Sequence, residues 1–374
     1  MTIENSWQTK KLGEICDKAS SNVSQNQLNN ENGSYPIYGA KGLLKNVSFY
    51  HQDKEYIAIV KDGAGIGRIA LLPPKSSVIG TLQYLLPKEG VNIKFLYYFL
   101  SSIDFLKYKN GSTIPHIYYK DYANAQILIP ALSEQKRIVK ILDEVFEGIE
   151  KAKKNADKNL QNSRELFESY LRNVFSNPKD DWEEMVLEDV CEIRSKLVDP
   201  RKSEFLDMIH VGAGNIEIKT GELSNLQTAK EEKLISGKFQ FDDSMILYSK
   251  IRPYLMKVVR PDFCGLCSAD IYPLVPHNEL MIRDYLYYLL LTSGFTEYAI
   301  KGSGRAGMPK VNRNHLFAFR FFLPPIKEQK SIVAKLDALS EQTKKLEAIY
   351  KQKIADLDEL KKSVLKKVFI GELR

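Results

Sequence analysis

Two stretches of the chain carry apolar side chains at alternating four- and three-residue intervals. One runs through Ile138, Leu142, Val145, Ile149, Ala152 and Ala156. The other runs through Ile332, Leu336, Leu339, Leu346, Tyr350, Leu357, Val364 and Val368, with Thr343 filling one position. Heptad spacing of this kind predicts long helices whose apolar stripes each need a partner helix. Pro130 and Pro324 mark their approaches, which places the helices at about 133–175 and 327–369. Elsewhere the pattern is shorter. The β-rich runs Tyr56–Val60, Ile69–Leu72, Met245–Tyr248 and Phe317–Leu323 read as strands, separated by Gly, Pro and Asn clusters that read as turns. Helical spacing returns at Ile93–Phe105 and Met281–Leu291.

The pattern occurs twice. Trp7, Leu12 and Cys16 recur as Trp182, Leu187 and Cys191, each 175 residues on. Pro130, Glu134, Gln135, Lys136, Ile138, Val139, Leu142 and Asp143 recur as Pro324, Glu328, Gln329, Lys330, Ile332, Val333, Leu336 and Asp337, each 194 residues on. The same 194 relates Leu171, Val174 and Phe175 to Leu365, Val368 and Phe369, so the two helical tails align without a gap. An internal repeat of half the chain sets the architecture. The expectation is an α+β protein with two similar α/β globular domains, 1–130 and 181–324, alternating with helical regions 131–180 and 325–374.

Connectivity orients the helices. About 43 residues at about 1.5 Å each span about 65 Å, whereas the linker from Ser176 to Asp181 reaches only about 20 Å. The chain must travel out along one helix and return along the other, so the pair is predicted to be an antiparallel coiled coil with pseudo-two-fold symmetry. Two heads on such a spacer suit a ligand that presents two sites at a fixed separation, as duplex DNA does about every 34 Å.

Composition narrows the class. At 374 residues and 44% hydrophobic the chain holds enough apolar material for two cores. With 54 Lys+Arg against 47 Asp+Glu, its net charge of +7 permits an acidic partner without naming one. No stretch of eighteen or more apolar residues and no secretory pattern at the N-terminus is present, so the protein is expected to be cytoplasmic and unconnected with a membrane. Four unevenly spread cysteines imply free thiols.

Several segments resemble the specificity subunits of type I restriction-modification systems. In the first half these are YPIYGAKG from Tyr35, KDGAGIG from Lys61, GTLQYLLP from Gly80 and IPALSEQKRIV from Ile129. In the second they are LYSKIRPYLMKV from Leu247, CSADIYPL from Cys267, GMPKVNRNHL from Gly307 and LPPIKEQKSIV from Leu323. The likeness covers nearly the whole chain and departs from the pattern in the Asn- and Ser-rich stretch 20–34. It implies a chain without an active site or cofactor of its own, whose two target-recognition domains each read one half of a bipartite sequence in double-stranded DNA. It further implies helices that dock two modification subunits, which bind S-adenosylmethionine and methylate adenine, and restriction subunits that supply the ATP-dependent nuclease and translocase.

Base readout requires forked groups such as Arg, Lys, Asn and Gln, and phosphate contact requires cations and hydroxyls. Loops rich in both supply the candidates: Lys61, Arg68, Gln83, Thr113, His116 and Lys120 in the first domain, and Lys250, Arg252, Tyr254, Arg305, Lys310, Asn312, Arg313 and Asn314 in the second. Between Arg283 and Arg320 six basic residues face only Asp284 and Glu297. GSTIPHIYYK stands where the second half has GRAGMPKVNR, so the two half-sites are expected to differ. Ile138, Leu142, Val145 and Ile149, with Ile332, Leu336, Leu339 and Leu346, are the candidates for helix pairing and subunit docking.

Other chemistry fits less well. The glycines at 63, 65 and 67 precede a strand pattern rather than the helix a phosphate cradle needs, and read as turn residues. Cys264 and Cys267 have CxxC spacing but no second ligand pair, and the five histidines are scattered, so neither a metal nor a catalytic group is expected. Two rivals stay open at this point: a coiled-coil scaffold whose heads bind proteins, and a stand-alone nuclease or methyltransferase, for which the expected motifs are missing.

Overall fold

The computed structural model describes residues 7–304, 308–370 and 372. It divides into two compact units, one made of residues 1–157 with 351–374 and the other of residues 158–350.

In the first unit the chain runs β1 (Gln8–Lys11), α1 (Leu12–Ile15), β2 (Cys16–Ser20), a 3-10 turn at Gln25–Leu28, β3 (Tyr35–Gly39), β4 (Gly42–Val47), β5 (Tyr56–Val60), β6 (Ile69–Leu72), β7 (Ser77–Val78) and β8 (Leu82–Pro87). It continues through α2 (Ile93–Ser102), a 3-10 turn at Phe105–Tyr108, α3 (Tyr119–Tyr122) and β9 (Gln126–Ile129) into α4 (Leu132–Ser176). Strands in the order β2-β8-β5-β6 form the main antiparallel sheet, and β4-β3-β7 form a smaller one. All five residues of β5 are buried, because the strand is covered on both faces. Ile57 and Ile59 join Leu85 and the α2 residues Phe95, Leu96, Phe99 and Leu100. Tyr56, Ala58 and Val60 point the other way, into a second core with Ile37, Val47 and Tyr84.

The second unit repeats the plan with a larger accessory sheet. After the remainder of α4 come β10 (Glu183–Val186), α5 (Leu187–Val190), β11 (Cys191–Ile193), β12 (Leu197–Val198), β13 (Ile209–Val211), β14 (Gln227–Thr228), β15 (Lys238–Phe241) and β16 (Ile246–Ser249). There follow β17 (Val258–Val259), β18 (Gly265–Cys267), β19 (Ile271–Pro276), α6 (Arg283–Leu290), α7 (Ser293–Lys301), α8 (Arg313–Phe317), β20 (Arg320–Leu323) and α9 (Ile326–Phe369). Its main sheet is β11-β19-β16-β17, and its accessory sheet is five-stranded, β12-β15-β18-β13-β14. The expected strand at Phe317–Leu323 is shorter than its β-rich composition suggested. Phe317 closes the turn of α8, whose cap Asn312 accepts the His315 N–H at 2.8 Å, and pairing with β10 starts only at Arg320.

The Glu-Gln-Lys repeat has a structural cause in each unit. The Gln135 side chain, 1% exposed, accepts the Asn92 N–H at 2.8 Å and donates to the Gly90 and Pro130 carbonyls at 3.0 and 2.9 Å. Gln329 does the same with Ile282, Leu280 and Pro324 at 2.9, 2.7 and 2.8 Å. Each amide thus ties the start of a long helix to the approach of the helix behind the main sheet. Two turns further along each long helix, Tyr98 donates to Asp143 at 2.5 Å and Tyr288 to Asp337 at 2.6 Å.

The long helices are antiparallel in both units. In the first, Lys361 bonds Glu150 and Lys153 bonds Asp358, both at 2.8 Å, so ascending numbers on α4 meet descending numbers on α9. In the second, Arg164 meets Glu347 at 2.9 Å in the same sense. Ile138, Leu142, Ile149, Ile332 and Leu336 are buried, and Leu339 is half-buried. Two seam assignments are corrected. Val145 is exposed, and Phe146 takes its place, packed against Tyr98 at 5.3 Å between ring centroids with the Lys361 ammonium over its face. Leu346 is also exposed, because the inward direction after buried Thr343 passes through Glu347, which meets Arg164.

Candidate nucleic-acid interface

The loops singled out in the sequence converge at one end of each main sheet. In the first unit Lys61 follows β5 directly. Its N–H donates to the Thr81 carbonyl at 3.0 Å, and its carbonyl accepts the Ile117 N–H at 2.9 Å. Gly63 N–H donates to Pro115 at 2.9 Å, so three loops, 61–68, 80–81 and 110–120, are fastened together. Gly63 and Gly67 have φ of +93° and +79°, and β6 follows, so the glycines turn the chain back into the sheet.

Side chains complete this cluster. Asp62 accepts from Lys61 Nζ at 2.9 Å and meets His116 Nδ1 at 2.7 Å. Burial acts to raise the Asp62 carboxyl, but the His116 and Lys61 hydrogen bonds outweigh it and hold the group below the usual carboxylate range. His116 lies parallel to Tyr118, and Lys120 Nζ sits 5.7 Å from the centre of the Tyr118 ring. Thr113 and Arg68 are exposed on the same pair of loops.

The second unit uses the same backbone device with different side chains. Lys250 follows β16. Its N–H donates to the Asp270 carbonyl at 3.0 Å, and its carbonyl accepts the Val311 N–H at 2.8 Å. Val311 stands 194 residues after Ile117, which makes the two cross-links equivalent. Lys310, the counterpart of His116, pairs with Asp270 at 3.1 Å. The carboxylate has therefore moved from the first loop to the second. Lys250 Nζ donates to the Ala269 carbonyl and lies 4.9 Å from the Tyr272 ring centre. Burial first, and then the nearby Lys310 and Arg313 charges, lower the Lys250 ammonium below its usual value against the opposing pull of Asp270. Arg252 is exposed at a positive φ of 50°, its N–H held by the Pro309 carbonyl at 2.8 Å, and Tyr254 beside it is half exposed.

Most sequence candidates thus lie together: Lys61, Arg68, Thr113, His116 and Lys120 in one unit, and Lys250, Arg252, Tyr254, Lys310, Arg313 and Asn314 in the other. Arg305 lies outside the described residues. Gln83 is a correction. It is 5% exposed inside β8, paired with Ser20 and Ile59, and accepts from Tyr122 at 3.4 Å, so it supports the sheet instead of facing a ligand. Asn312 is exposed, but its side-chain oxygen is engaged as the α8 cap. Sequence reasoning missed Asp62 and Asp270, the acids that fix the basic groups. The signal available was their position beside Lys61 in one motif and just before β19 in the other.

Cys267 is buried, its thiol pushed up to about 12 by burial, while Cys264 is exposed. Among the described residues no group of three or more His, Cys, Asp or Glu side chains could hold a metal, and no helix is long and apolar enough to cross a membrane.

Comparison with known proteins places this arrangement. The family model for the type I restriction modification DNA specificity domain matches twice, at residues 4–157 and 179–355. The type I restriction enzyme EcoDI specificity subunit of Escherichia coli is 28% identical, across 98% of this chain and 88% of the relative. The MjaVIII specificity subunit of Methanocaldococcus jannaschii is 22% identical, across 100% and 94%. Among solved structures, a chain from work on complex assembly and conformational transition of the type I R-M system superposes with a TM-score of 0.76 at 17% identity, covering 100% of both chains. The HsdS subunit from Thermoanaerobacter tengcongensis gives 0.57 at 18% identity, covering 100% and 99%. These two show the shared fold. With the specificity domain present twice, and each copy carrying the same cross-linked loop scaffold, the chain belongs to the type I restriction modification DNA specificity family.

Proposed function

We propose that this chain, a non-catalytic specificity subunit of the type I restriction-modification class, reads an asymmetric bipartite sequence in double-stranded DNA, one half-site per domain. The observation that carries this is the equivalence of the Lys61 and Lys250 loops: the backbone cross-links are the same, whereas the presented side chains differ. A shared scaffold with His116, Tyr118 and Lys120 in one copy and Lys310, Arg313 and Asn314 in the other suits recognition of two different sequences. Forked and cationic groups held on fastened loops lose little freedom on binding, which favours base and phosphate contacts.

The long helices set the spacing between half-sites and dock two modification subunits, which carry S-adenosylmethionine and methylate adenine. Restriction subunits join that assembly and supply cleavage. All of this takes place where the DNA is, in the cytoplasm. Expressing the chain with its modification subunit and mapping methylated adenines across the host genome tests the reading. One bipartite motif with unlike halves is expected. Methylation without a motif, or with two identical half-sites, would contradict it.

A further inference from the structure

The first unit contains a polar cleft that the candidate loops do not include. It is a shallow, wide-open depression of about 730 Å³, lined by Asn22, Gln27, Tyr50, His51, Gln52 and Tyr84 among others. Its walls come from the Asn- and Ser-rich stretch after β2 and from the connection between β4 and β5. We infer that this cleft reads a base pair of the first half-site through the side-chain amides of Asn22 and Gln52. The inference rests on the DNA reading proposed above.

Position supports it first. Strand β2 ends at Ser20, β5 ends at Val60 and β8 begins at Leu82, so the Asn22 wall of the cleft and the Lys61 loop lie at the same end of one sheet, while the Gln52 wall pairs with Ser76 beyond the Tyr56–Leu72 end of β5 and β6. The link is continuous: the Val23 carbonyl accepts the Gly80 N–H at 2.8 Å, and the adjoining Thr81 carbonyl accepts the Lys61 N–H at 3.0 Å. A ligand lying across Lys61, His116 and Lys120 therefore has the Asn22 wall of the cleft as its neighbour, with Gln52 facing it from the far wall.

Chemistry supports it second. The lining carries amides, an imidazole and phenols but neither cation nor carboxylate. A phosphate site requires positive charge, whereas Asn and Gln offer a donor and an acceptor side by side, the pattern that matches N6 and N7 of adenine in the major groove. Among the described residues, the Asn22 and Gln52 amides make no hydrogen bond. Gln27 is less suited, because its oxygen accepts the Ser24 N–H at 2.7 Å.

Rigidity supports it third. The Gln52 backbone pairs with Ser76 in both directions at 3.2 and 3.3 Å, and the His51 N–H donates to Ser77 Oγ at 2.9 Å. His51 Nδ1 meets the buried Tyr84 hydroxyl at 3.2 Å, and that hydroxyl accepts the Val78 N–H at 3.0 Å. The floor of the cleft is fixed before any ligand arrives, as a discriminating site requires.

The test uses the full chain expressed with its modification subunit, with methylated adenines mapped for the unaltered protein and for Asn22→Ala, Gln52→Ala and Gln52→Glu. Each alanine variant should relax the preference at one position of the first half-site by at least about fivefold and leave the second half-site unchanged. Gln52→Glu, which can only accept, should move its position from adenine toward cytosine, whose N4 donates. Asn22 is exposed and unbonded, so its variant carries the test even where a Gln52 variant does not accumulate. An unaltered motif in all the variants that assemble would overturn the role of the cleft alone. Absence of any motif with the unaltered chain would overturn the DNA reading, and this inference with it.

Discussion

The Ile117 N–H donates to the Lys61 carbonyl across 2.9 Å, joining two loops that lie 56 residues apart at the end of the main sheet. Val311 and Lys250 repeat that bond at 2.8 Å. The bond fixes where the side chains of two motifs stand relative to each other while leaving their identities free. The proposed reading of two unlike half-sites on one fold needs that separation between backbone and side chain.

The basic groups of the second unit should contribute affinity through phosphates. Removing Lys310 or Arg313 by alanine substitution is expected to lower DNA affinity for all sequences. It should also reduce the slope of log affinity against log salt by about 1 for each phosphate that is no longer neutralised. Fluorescence titration of the assembled complex at several salt concentrations measures this. A weakening confined to one base position would instead identify base readout.

Asp62 makes the first unit sensitive to acid. Its folded carboxyl lies below the unfolded value, so its stabilising effect is complete above the unfolded pKa near about 4 and is lost as pH falls through the folded value. Asp62→Asn should therefore weaken the acid dependence of the melting temperature below about pH 5, which thermal melts across pH 3 to 7 can follow, each pH read against the unaltered chain.

Gln135 and Gln329 should prove structural. Replacing either by alanine leaves a buried N–H and two carbonyls without their partner, a loss on the order of 3 kcal/mol. Denaturant unfolding should show it, while the methylation motif of whatever assembles stays the same.

The helix seam can be checked with neighbours. Phe146→Ala should cost about 3 kcal/mol or more, as for other buried aromatic side chains, and Val145→Ala less than about 1 kcal/mol. Equal losses would mean that the exposed position is not exposed in solution.

Much of the fold was legible because the repeat is physical. A displacement of 194 connects Gln135 to Gln329, Asp143 to Asp337 and Ile117 to Val311, and each pair performs the same task. The misreadings arise where local pattern admits two answers. Val145 and Phe146 lie three and four residues after Leu142, and only the packing against Tyr98 chooses between them. Gln83 sits in a motif that looks like a loop, yet β8 lies between β2 and β5, and the Tyr122 hydroxyl answers its polarity from across the core. Neither the acid that fixes each cluster nor the cleft beside Asn22 was visible, because both depend on loops brought together by the sheet.

The central claim is that each domain reads its own half of the target. The most direct measurement exchanges residues 1–130 for the matching domain of a relative with a different target, expresses the chimaera with the modification subunit, and maps methylated adenines by single-molecule sequencing. The account predicts a motif in which the first half takes the donor's sequence while the second half and the spacer remain. A motif unchanged by the exchange, or altered in both halves together, would contradict it.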